Sequence, residues 1–348
     1  MRTRSSAFDE SSRAMSPRDE LARIAVIEEL QTALKKAQQK LAKREEDREM
    51  LVATVYRAAR EAALAVKTPK PIEPKQDKRT KKAEVALIHA TDWQLGKKTE
   101  TYDVATCARR MDQFAEKVLR ITDIQRRDHP VREAVLMLGG DMVENTDLFP
   151  GQAFEIEAYL FEQLFETARI VEKLVRTFSA NFEKVRVVCE YGNHGRIGKY
   201  GVLPKGDNVD RMAYRIAAER TPDLPNVTWQ MSEAGHQHFT IGNYRALLVH
   251  GDEIRSMGQT PIFAIIKRFT SWSSGVMPYF DEAFMGHYHT PLSLTLPNSS
   301  RVFVTGSSES GSIYATETIG ALGRPSQRLH FVSPERGHST AEFVVWLD

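Results

Sequence analysis

The chain has 348 residues, 41% of them apolar, so it is long enough to bury one large core or two ordinary ones. This length and composition exclude a short disordered peptide. Its two cysteines, Cys107 and Cys189, are too few for a disulfide framework or a thiolate zinc cluster, and we expect both to be buried. Any metal chemistry must therefore use His, Asp, Asn or Gln side chains.

Charge is distributed unevenly along the chain. The net charge is +2, but residues 1–82 carry 20 Lys and Arg against 13 Asp and Glu, a net of +7. The remaining residues hold 28 basic and 33 acidic side chains, a net of −5. If the partner is a polyanion, the N-terminal segment is therefore the better general attractor.

Targeting signals are not evident in the sequence. No apolar run reaches the roughly 18 residues that a membrane span needs. The first twenty residues also lack the apolar stretch of a secretory signal. We therefore expect a globular protein with no membrane association and a cytoplasmic location.

A long helix is predicted over residues 17–66, which contain no glycine and only one proline, at the first position. Apolar residues follow a broken heptad pattern. They are Ile27, Leu30, Leu34, Ala37 and Leu41, then, beyond Arg44 and Arg48, Leu51, Val55 and Ala58. The pattern favours a coiled coil or helical hairpin that joins chains into a homodimer or homo-oligomer. The alternative is a lone helix packed on the rest of the chain.

Residues 67–83 separate this helical segment from the remainder. They contain three prolines and seven basic residues, a composition typical of an extended linker. The sequence therefore predicts three parts: a helical segment over 1–66, a basic linker over 67–83, and one larger domain over 84–348.

Strand-like and helical segments alternate from residue 84. The pattern predicts the strands EVALIHA, AVLMLGG and KVRVVCEYG, separated by helices over 105–124 and 154–178. After Thr228 it predicts a hairpin that turns at Gly242-Asn243, then the strands EAFMGHYH, LSLTLP, RVFVTG, RLHFV and AEFVVWL. We expect these later strands to form a second, largely antiparallel or mixed sheet packed on the first. The predicted fold class is α/β, with a two-sheet β-sandwich core flanked by helices.

Polar side chains follow five of the predicted strands, at the point where each strand ends. They are Asp92 and Gln94, then Asp141 with Glu144 and Asn145, then Asn193, His194 and Arg196, then His250 and Asp252, then His287 and His289. Such strand ends host ligands in α/β folds, because a rigid scaffold presents the loop side chains there. Each short motif is weak by itself, but the ordered set is specific.

This ordered set resembles the signature of the calcineurin-like metallophosphoesterase superfamily, which runs D-x-H, G-D-x-x-D, G-N-H-D/E, H and G-H-x-H. The resemblance covers about residues 84–290. It implies the metallophosphoesterase fold and phosphoester hydrolysis by a metal-bridging hydroxide at two divalent metal ions. The mixed nitrogen and oxygen donors suit Mn²⁺, with Fe²⁺, Zn²⁺, Ni²⁺ or Mg²⁺ as alternatives.

The same resemblance assigns the residues. Asp141 would bridge the two metals. Asp92, Gln94 and His289 would complete the first site, and Asn193, His250 and His287 would complete the second. His194 would act as the general acid. Glu144 and Asp252 would orient the ligands beside them rather than bind metal.

Two departures from the family signature bear on function. Gln94 stands where the family usually has His, so the first metal would be labile, or Mn²⁺ or Mg²⁺ would be favoured. The third motif is G-N-H-G-R, which removes an acidic neighbour and adds Arg196, followed by Lys199 and Lys205. We expect Arg196 and Lys199 to bind a polyanionic substrate. The alternative is an ordinary solvated loop.

A second G-H-x-H sequence contains His236 and His238, but it precedes His250, whereas the family motif follows the single histidine. We expect these two residues on one face of a strand, at the surface or in a groove. Four other histidines have no partner at metal-ligand spacing: His89, His129, His330 and His338.

The substrate is predicted from the style of the motifs, the basic linker and the long N-terminal helix. These look most like the nuclease-type members of the superfamily, including phage-encoded DNA repair exonucleases. We therefore expect hydrolysis of phosphodiester bonds in nucleic acid, DNA rather than RNA, in the host cytoplasm if a phage encodes the protein. The alternatives are a nucleotide or protein phosphomonoesterase, and a metal-binding scaffold with an impaired site.

Overall fold

The structure, a computed structural model, describes residues 70–149, 151–198, 200–201, 203–254, 261–311 and 324–348, and individual residues between 32 and 65. The chain divides into two compact units, Met1–Glu61 and Ala62–Asp348. The described residues between 32 and 65 are all helical. Apart from Ala58, the predicted heptad positions lie outside the described residues. Subunit association through this segment and the domain boundaries at 66 and 83 stay predictions.

Residues 70–83, most of the predicted linker, contain no helix or strand. This stretch belongs to the second unit and is fastened to the rest of it by Asp77, whose backbone N–H donates to Glu183 Oε1 at 2.8 Å. It leads directly into the first strand.

The first sheet has six strands and carries half of the site described below. They are β1 (Glu84–Ala90), β2 (Val131–Leu138), β3 (Lys184–Cys189), β4 (Val227–Met231), β10 (Ser326–Ser333) and β11 (His338–Trp346). Their order is β11-β10-β1-β2-β3-β4. Strands β1 to β4 are parallel, while β10 is antiparallel to β1 and β11 is antiparallel to β10.

The second sheet has five strands. They are β5 (Gln237–Ile241), β6 (Tyr244–Leu248), β7 (Glu282–Met285), β8 (Leu292–Thr295) and β9 (Arg301–Val304), in the order β5-β6-β7-β9-β8. Strands β6, β7 and β9 are parallel, with β5 and β8 antiparallel at the two edges. The predicted hairpin at Gly242-Asn243 is confirmed, since Ile241 pairs with Tyr244 across it.

Four described helices flank the sheets: α1 (Val104–Gln125), α2 (Leu160–Ser179), α3 (Val209–Glu219) and α4 (Ile262–Ser271). The first three pack on the first sheet, where Phe114, Val171 and Tyr214 join its core. Helix α4 packs on the second sheet through Ile265 and Phe269. The predicted fold class, an α/β fold with two sheets and flanking helices, is confirmed. No helix in the described part of the chain is long and apolar enough to cross a membrane.

Strand β1 is buried on both faces, and this burial explains the unbroken run of apolar residues in its sequence. Val85 and Leu87 face the core between the two sheets, while Ala86 and Ile88 face the core under the helices. A strand buried on both faces needs apolar side chains at consecutive positions rather than alternating ones. Cys107 and Cys189 are buried as expected.

The assignment of strands to sheets was predicted wrongly in part. Strands β10 and β11 were expected in the second sheet, yet they belong to the first, which also contains β4, a strand that was not predicted. Every residue of β10 is buried, so this strand needs a central position, and the free edge of β1 provides one. Pairing between strands so distant in sequence leaves no trace in a local pattern.

The predicted helices also needed correction. The helix expected over 154–178 begins at Leu160, because Gln152–Phe154 form a separate 3₁₀ turn and residues 155–159 are irregular. Helices α3 and α4, of 11 and 10 residues, were not predicted. Helices this short present only two or three apolar turns, too few for a clear period.

Replacing Phe284 with Ala tests the core between the sheets. This fully buried ring stacks on Phe303 with centroids 5.3 Å apart and receives the edges of His89 and His330. We expect the free energy of unfolding to fall by about 3–5 kcal/mol, because the cavity cannot close fully. Urea denaturation measures the loss. The control is Phe263→Ala, at a ring that is 88% exposed, where a change within about 0.5 kcal/mol is expected. A similar loss in both variants would contradict the packing.

Candidate metal centre

The five predicted polar segments do follow strand ends, as expected. Asp92, Asp141 and Asn193 come after β1, β2 and β3, and His250 and His287 come after β6 and β7. Each set of strands is parallel, so the carboxyl ends within each sheet lie at one edge. The two sheets bring these edges together, and the side chains of all five segments meet there.

Backbone conformation at the site is unusual. Eight non-glycine residues of the described chain have positive φ, and six of them belong to this site. They are Asp92, Gln94, Asp141, Asn145, His287 and His289, with φ between 49° and 74°. A non-glycine residue in this region costs about 1–3 kcal/mol and persists only where its surroundings hold it. The site is therefore held by the fold rather than by local preference.

One group of side chains surrounds one side of Asp141. His289 Nε2 lies 3.2 Å from Asp92 Oδ1. The Gln94 amide lies between them and Asp141, with Nε2 3.5 Å from His289 Nε2 and 3.4 Å from Asp141 Oδ2. The residues predicted for the first metal are thus brought together.

A second group surrounds the other side of Asp141. His250 Nε2 lies 3.1 Å from Asp141 Oδ2 and 3.2 Å from Asn193 Oδ1. The His287 ring is 5.2 Å from the His250 ring, centroid to centroid. Ligand atoms of Asp141, His250 and His287 all lie within 4.8 Å of one another, close enough to hold one metal ion. The Asp141 carboxylate is common to both groups.

Charged side chains around Asp141 shift one another's pKa values. Burial opposes ionisation of Asp141, but the neighbouring His250 and His194 hold its pKa below the usual range. Burial opposes protonation of His250, yet Asp141 raises its pKa well above the ordinary value. Burial and the charge of His250 lower the pKa of His287 to about 4. Divalent metals require such ligands to be deprotonated, so metal binding at His250 would compete with its protonation.

The donor set fits divalent metal ions. Gln94 Oε1 is buried and has no hydrogen-bond partner among the described residues. A 180° rotation of the amide exchanges its oxygen and nitrogen and turns Oε1 toward Asp141 and His289. Carboxylate, amide oxygen and imidazole donors of this kind bind borderline and hard divalent cations. In the rotated orientation, Gln94 Oε1 would be a ligand for a metal ion bound beside Asp141 and His289. Such a role would account for its lack of a hydrogen-bond partner within the described chain.

Two positions in the site require glycine, because a carboxylate of another loop lies too close to the backbone for any side chain to fit. A Cβ on Gly192 would lie 2.1 Å from Asp141 Oδ1, and a Cβ on Gly286 would lie 1.9 Å from Asp92 Oδ2. Both distances are far below any real contact. The glycines of the G-N-H and G-H-x-H segments therefore admit the carboxylates of the opposite loops.

Asp210, which the sequence analysis missed, ties two of the loops together. Its buried carboxylate accepts hydrogen bonds from the backbone N–H groups of Asp141 at 2.9 Å, Met142 at 3.1 Å and Gly192 at 3.0 Å. Burial and the charge of Asp141 raise its pKa to about 6. The only sequence signal was Asn208, a good helix N-cap, which indicates the start of α3 but not this contact.

Glu309 and Lys97 were also missed. Glu309 Oε1 lies 2.8 Å from His289 Nδ1, and Glu309 Oε2 lies 2.7 Å from Lys97 Nζ. Burial opposes ionisation of Glu309, but Lys97 and His289 hold its pKa below the usual range. A carboxylate on Nδ1 fixes the ring orientation and directs Nε2 toward the site. Glu309 lies in a Gly- and Ser-rich run that matches no catalytic motif.

The loop that carries Glu309 braces the first strand end as well. Ser307 Oγ donates to the Asp92 backbone carbonyl at 2.6 Å, and the Glu309 N–H donates to Ser307 Oγ at 2.9 Å. This segment therefore holds both Asp92 and His289 in place.

His194 is positioned differently from the other histidines. Its backbone N–H donates to Asp141 Oδ1 at 2.7 Å, and its ring Nε2 lies 4.0 Å from Asp141 Oδ2. Its Nδ1 lies 2.9 Å from the Glu144 carbonyl oxygen, and the Phe149 ring packs on it at 5.0 Å. Asn145 Nδ2 donates to the His194 carbonyl oxygen at 2.6 Å. Nδ1 is thus engaged, and Nε2 stays beside the ligands.

The remaining predicted residues lie around the site. The Arg196 guanidinium lies 5.9 Å from the Phe149 ring centre and 5.6 Å from that of Tyr200. Lys199 lies outside the described residues. Asp252, His236 and Lys205 line a cavity beside His250. The Glu144 backbone carbonyl lies 2.9 Å from His194 Nδ1, and its side-chain Oε2 lies 3.5 Å from the same nitrogen.

Comparisons with known proteins give fold similarity only. No family model matches this chain, and no curated protein sequence does. Three of the similar solved structures are a conserved uncharacterized protein of Streptococcus pneumoniae described as a predicted phosphoesterase, a Vps29 of Entamoeba histolytica complexed with zinc, and a 5′-nucleotidase of Candida albicans.

The Streptococcus protein is 13% identical over 75% of this chain and 98% of its own, with a TM-score of 0.30. Vps29 is 12% identical over 76% and 99%, with a TM-score of 0.33. The nucleotidase is 10% identical over 80% of this chain and 54% of its own, with a TM-score of 0.33. Similarities of this size do not identify a reaction, a substrate or a metal for this chain.

Glu190, a buried carboxyl behind the site, makes stability depend on pH. Burial raises its pKa from 4.5 to about 8. The folded state then binds the proton more tightly than the unfolded state, so stability falls as pH rises from about 4.5 to 8. Glu190→Gln removes this loss. We expect a higher Tm than wild type at pH 8.5 and little difference at pH 5, measured by circular dichroism.

The control for this prediction is Glu100→Gln at an exposed position. It should leave Tm unchanged at both pH values. A Glu190→Gln effect that is equal at pH 5 and pH 8.5 would contradict the raised pKa.

Proposed function

We propose that this protein is a dinuclear metal-dependent phosphoesterase that hydrolyses phosphodiester bonds in nucleic acid. The observation that carries the proposal is the sharing of one buried carboxylate, Asp141, by two groups of nitrogen and oxygen donors, with His194 Nε2 4.0 Å from it. Two-metal phosphoesterases need a bridging ligand, two sets of terminal ligands and a proton donor near the bridge.

The residues divide between two metals as the two groups do. Asp92, Gln94 and His289 would hold one ion, and Asn193, His250 and His287 the other, with Asp141 shared. Two bound divalent ions would clamp the phosphoryl oxygens and acidify a water. Mn²⁺ is the expected ion, with Fe²⁺, Zn²⁺, Ni²⁺ and Mg²⁺ as alternatives.

His194 is the proposed general acid. Its Nδ1 contacts the Glu144 carbonyl oxygen, which accepts a hydrogen bond and so favours a proton on Nδ1, and Glu144 Oε2 lies 3.5 Å away. Its Nε2 proton is then delivered to the departing oxygen. The Phe149 ring packs against the imidazole and keeps it in this orientation.

Arg196, together with Lys199, is proposed to bind the phosphates that flank the scissile bond. The net charge of +7 on residues 1–82 supports a polyanionic substrate, DNA in preference to RNA. A small-molecule phosphatase has no need of this charge. The helical segment over 17–66 is the proposed contact between chains in a homodimer or homo-oligomer.

The proposal is tested with the full-length protein, Mn²⁺ and five substrates: single-stranded DNA, duplex DNA, RNA, bis-p-nitrophenyl phosphate and p-nitrophenyl phosphate. We expect cleavage of the diesters and DNA, and loss of all activity in Asp141→Asn without a change in the circular dichroism spectrum. Retained activity and two bound metals in Asp141→Asn would refute the assignment. Cleavage of the monoester alone would support the phosphomonoesterase alternative.

His194→Ala separates the proton donor from the metal ligands. Metal content, measured by mass spectrometry of the purified protein, should stay at the wild-type value. Turnover of bis-p-nitrophenyl phosphate should fall by roughly 10²- to 10⁴-fold, the usual contribution of a positioned general acid. A loss of metal would instead make His194 a ligand.

Gln94→His tests the weakest donor. An imidazole binds a borderline metal more strongly than an amide oxygen, so the variant should need a lower Mn²⁺ concentration for half-maximal activity. The measurement is a Mn²⁺ titration of hydrolysis rate in both proteins. An unchanged midpoint would mean that Gln94 does not contact the metal.

A further inference from the structure

A cavity of about 380 Å³ adjoins the candidate metal centre on one side. Asn193 and His250 line it, so a phosphate bound at those residues would lie against this cavity. The described residues that line it also come from the segments around Tyr200, His236 and Trp272, and they include the acidic residues Asp207, Asp252 and Glu253. The hydrolysis described above uses the metal ligands and His194 and leaves this cavity without a role.

The walls of the cavity are aromatic and apolar near the metal ligands. Tyr191 and Trp272 are largely buried, while Tyr200 is 65% exposed at the rim, and Met277 lies on the Trp272 side. Aromatic rings beside a phosphate site provide faces on which a nucleobase stacks, a contact worth about 1–3 kcal/mol per base.

Cationic groups lie on the same side of the cavity as Tyr200. Arg196 and Lys205 both line it. The Arg196 guanidinium lies between the rings of Phe149 and Tyr200, and its Nε is buried with no hydrogen-bond partner among the described residues. A cation held between aromatic faces suits a ligand that carries a planar ring and a negative charge.

We propose that this cavity binds one unpaired nucleoside whose phosphate lies at the metal centre. The inference rests on the proposed function and adds the strand state of the substrate. A volume of about 380 Å³ falls within the range of small-ligand pockets. A paired base within a duplex cannot enter the cavity, because it must first be unpaired and unstacked from its neighbours. The preferred substrate is then a single strand or an unpaired strand end.

A phosphorylated peptide is the competing occupant, since an aromatic cavity also accepts a tyrosine side chain. The Arg196 guanidinium, 5.6 Å from the Tyr200 ring centre, favours the nucleotide, whose neighbouring phosphates continue past the scissile one. Phosphotyrosine is therefore included as a ligand in the test.

The first experiment measures equilibrium binding, so that it does not depend on hydrolysis. Full-length protein with Mn²⁺ is titrated with dAMP, phosphotyrosine and inorganic phosphate by isothermal calorimetry, with chromatography to confirm that each ligand stays intact. We expect dAMP to bind at least 10-fold more tightly than phosphate. In Tyr200→Ala this ratio should fall to below 3-fold, and in Tyr200→Phe, which keeps the ring, it should be restored.

The matched control is Tyr279→Ala. Tyr279 is also exposed and also carries a stacked arginine, Arg245, at 4.2 Å from its ring centre, but it does not line the cavity. The dAMP-to-phosphate ratio should equal the wild-type value in this variant. A ratio near one in the wild-type protein, or phosphotyrosine binding tighter than dAMP that is lost in Tyr200→Ala, would overturn the proposal.

The second experiment compares a single-stranded oligonucleotide with the blunt duplex of the same sequence. We expect the single strand to be cleaved at least 10-fold faster, and equal rates would overturn the inference. If neither DNA nor bis-p-nitrophenyl phosphate is cleaved, the proposed hydrolysis fails, while selective dAMP binding that depends on Tyr200 still identifies the cavity. The two failures are therefore distinguishable.

Discussion

The buried carboxylate of Asp141 is the constraint on which the rest of this site depends. An anion removed from water is unstable unless cations or hydrogen-bond donors surround it. The fold meets this requirement with His250 on one side and with the His194 backbone N–H on the other. The loops after β2, β3 and β6 must therefore approach one another, and they do so only because the two sheets align their carboxyl ends. The same geometry leaves two sets of donors around one carboxylate, with Gln94 and His250 both close to its Oδ2.

Rigidity in the loops follows from a few buried side chains rather than from the loops themselves. Asp210 holds the turns that follow β2 and β3 through three backbone N–H groups. Glu309 and Ser307 hold the loops that carry His289 and Asp92. These supports explain how so many non-glycine residues at the site keep left-handed backbone conformations. Ligands fixed in advance need little reorganisation when a cation binds, which increases the affinity that a given donor set can reach.

The positions of the donors could be predicted from sequence, whereas their supports could not. Asp92, Asp141 and His287 each follow a short apolar strand closely, so their placement at a sheet edge is a local property. Lys97 and Glu309 are separated by more than 200 residues and lie in segments with no catalytic motif. Asp210 lies in the first turn of a short helix that was not predicted, and nothing in its local sequence indicates its hydrogen-bond partners. The same distinction applies to the fold. The individual strands could be recognised in the sequence, whereas the pairing of β10 with β1 could not.

The return of β10 to the edge of β1 has a consequence for how the protein is made. Gln327 on β10 holds both backbone groups of Thr91, accepting from its N–H at 2.7 Å and donating to its carbonyl at 3.0 Å, immediately before Asp92. Residues near the end of the chain thus complete the first strand end of the site. During synthesis, β1 leaves the ribosome long before its partner, so the site stays unformed on the nascent chain. Any cation that these side chains bind must therefore wait until β10 has been synthesised and has paired with β1.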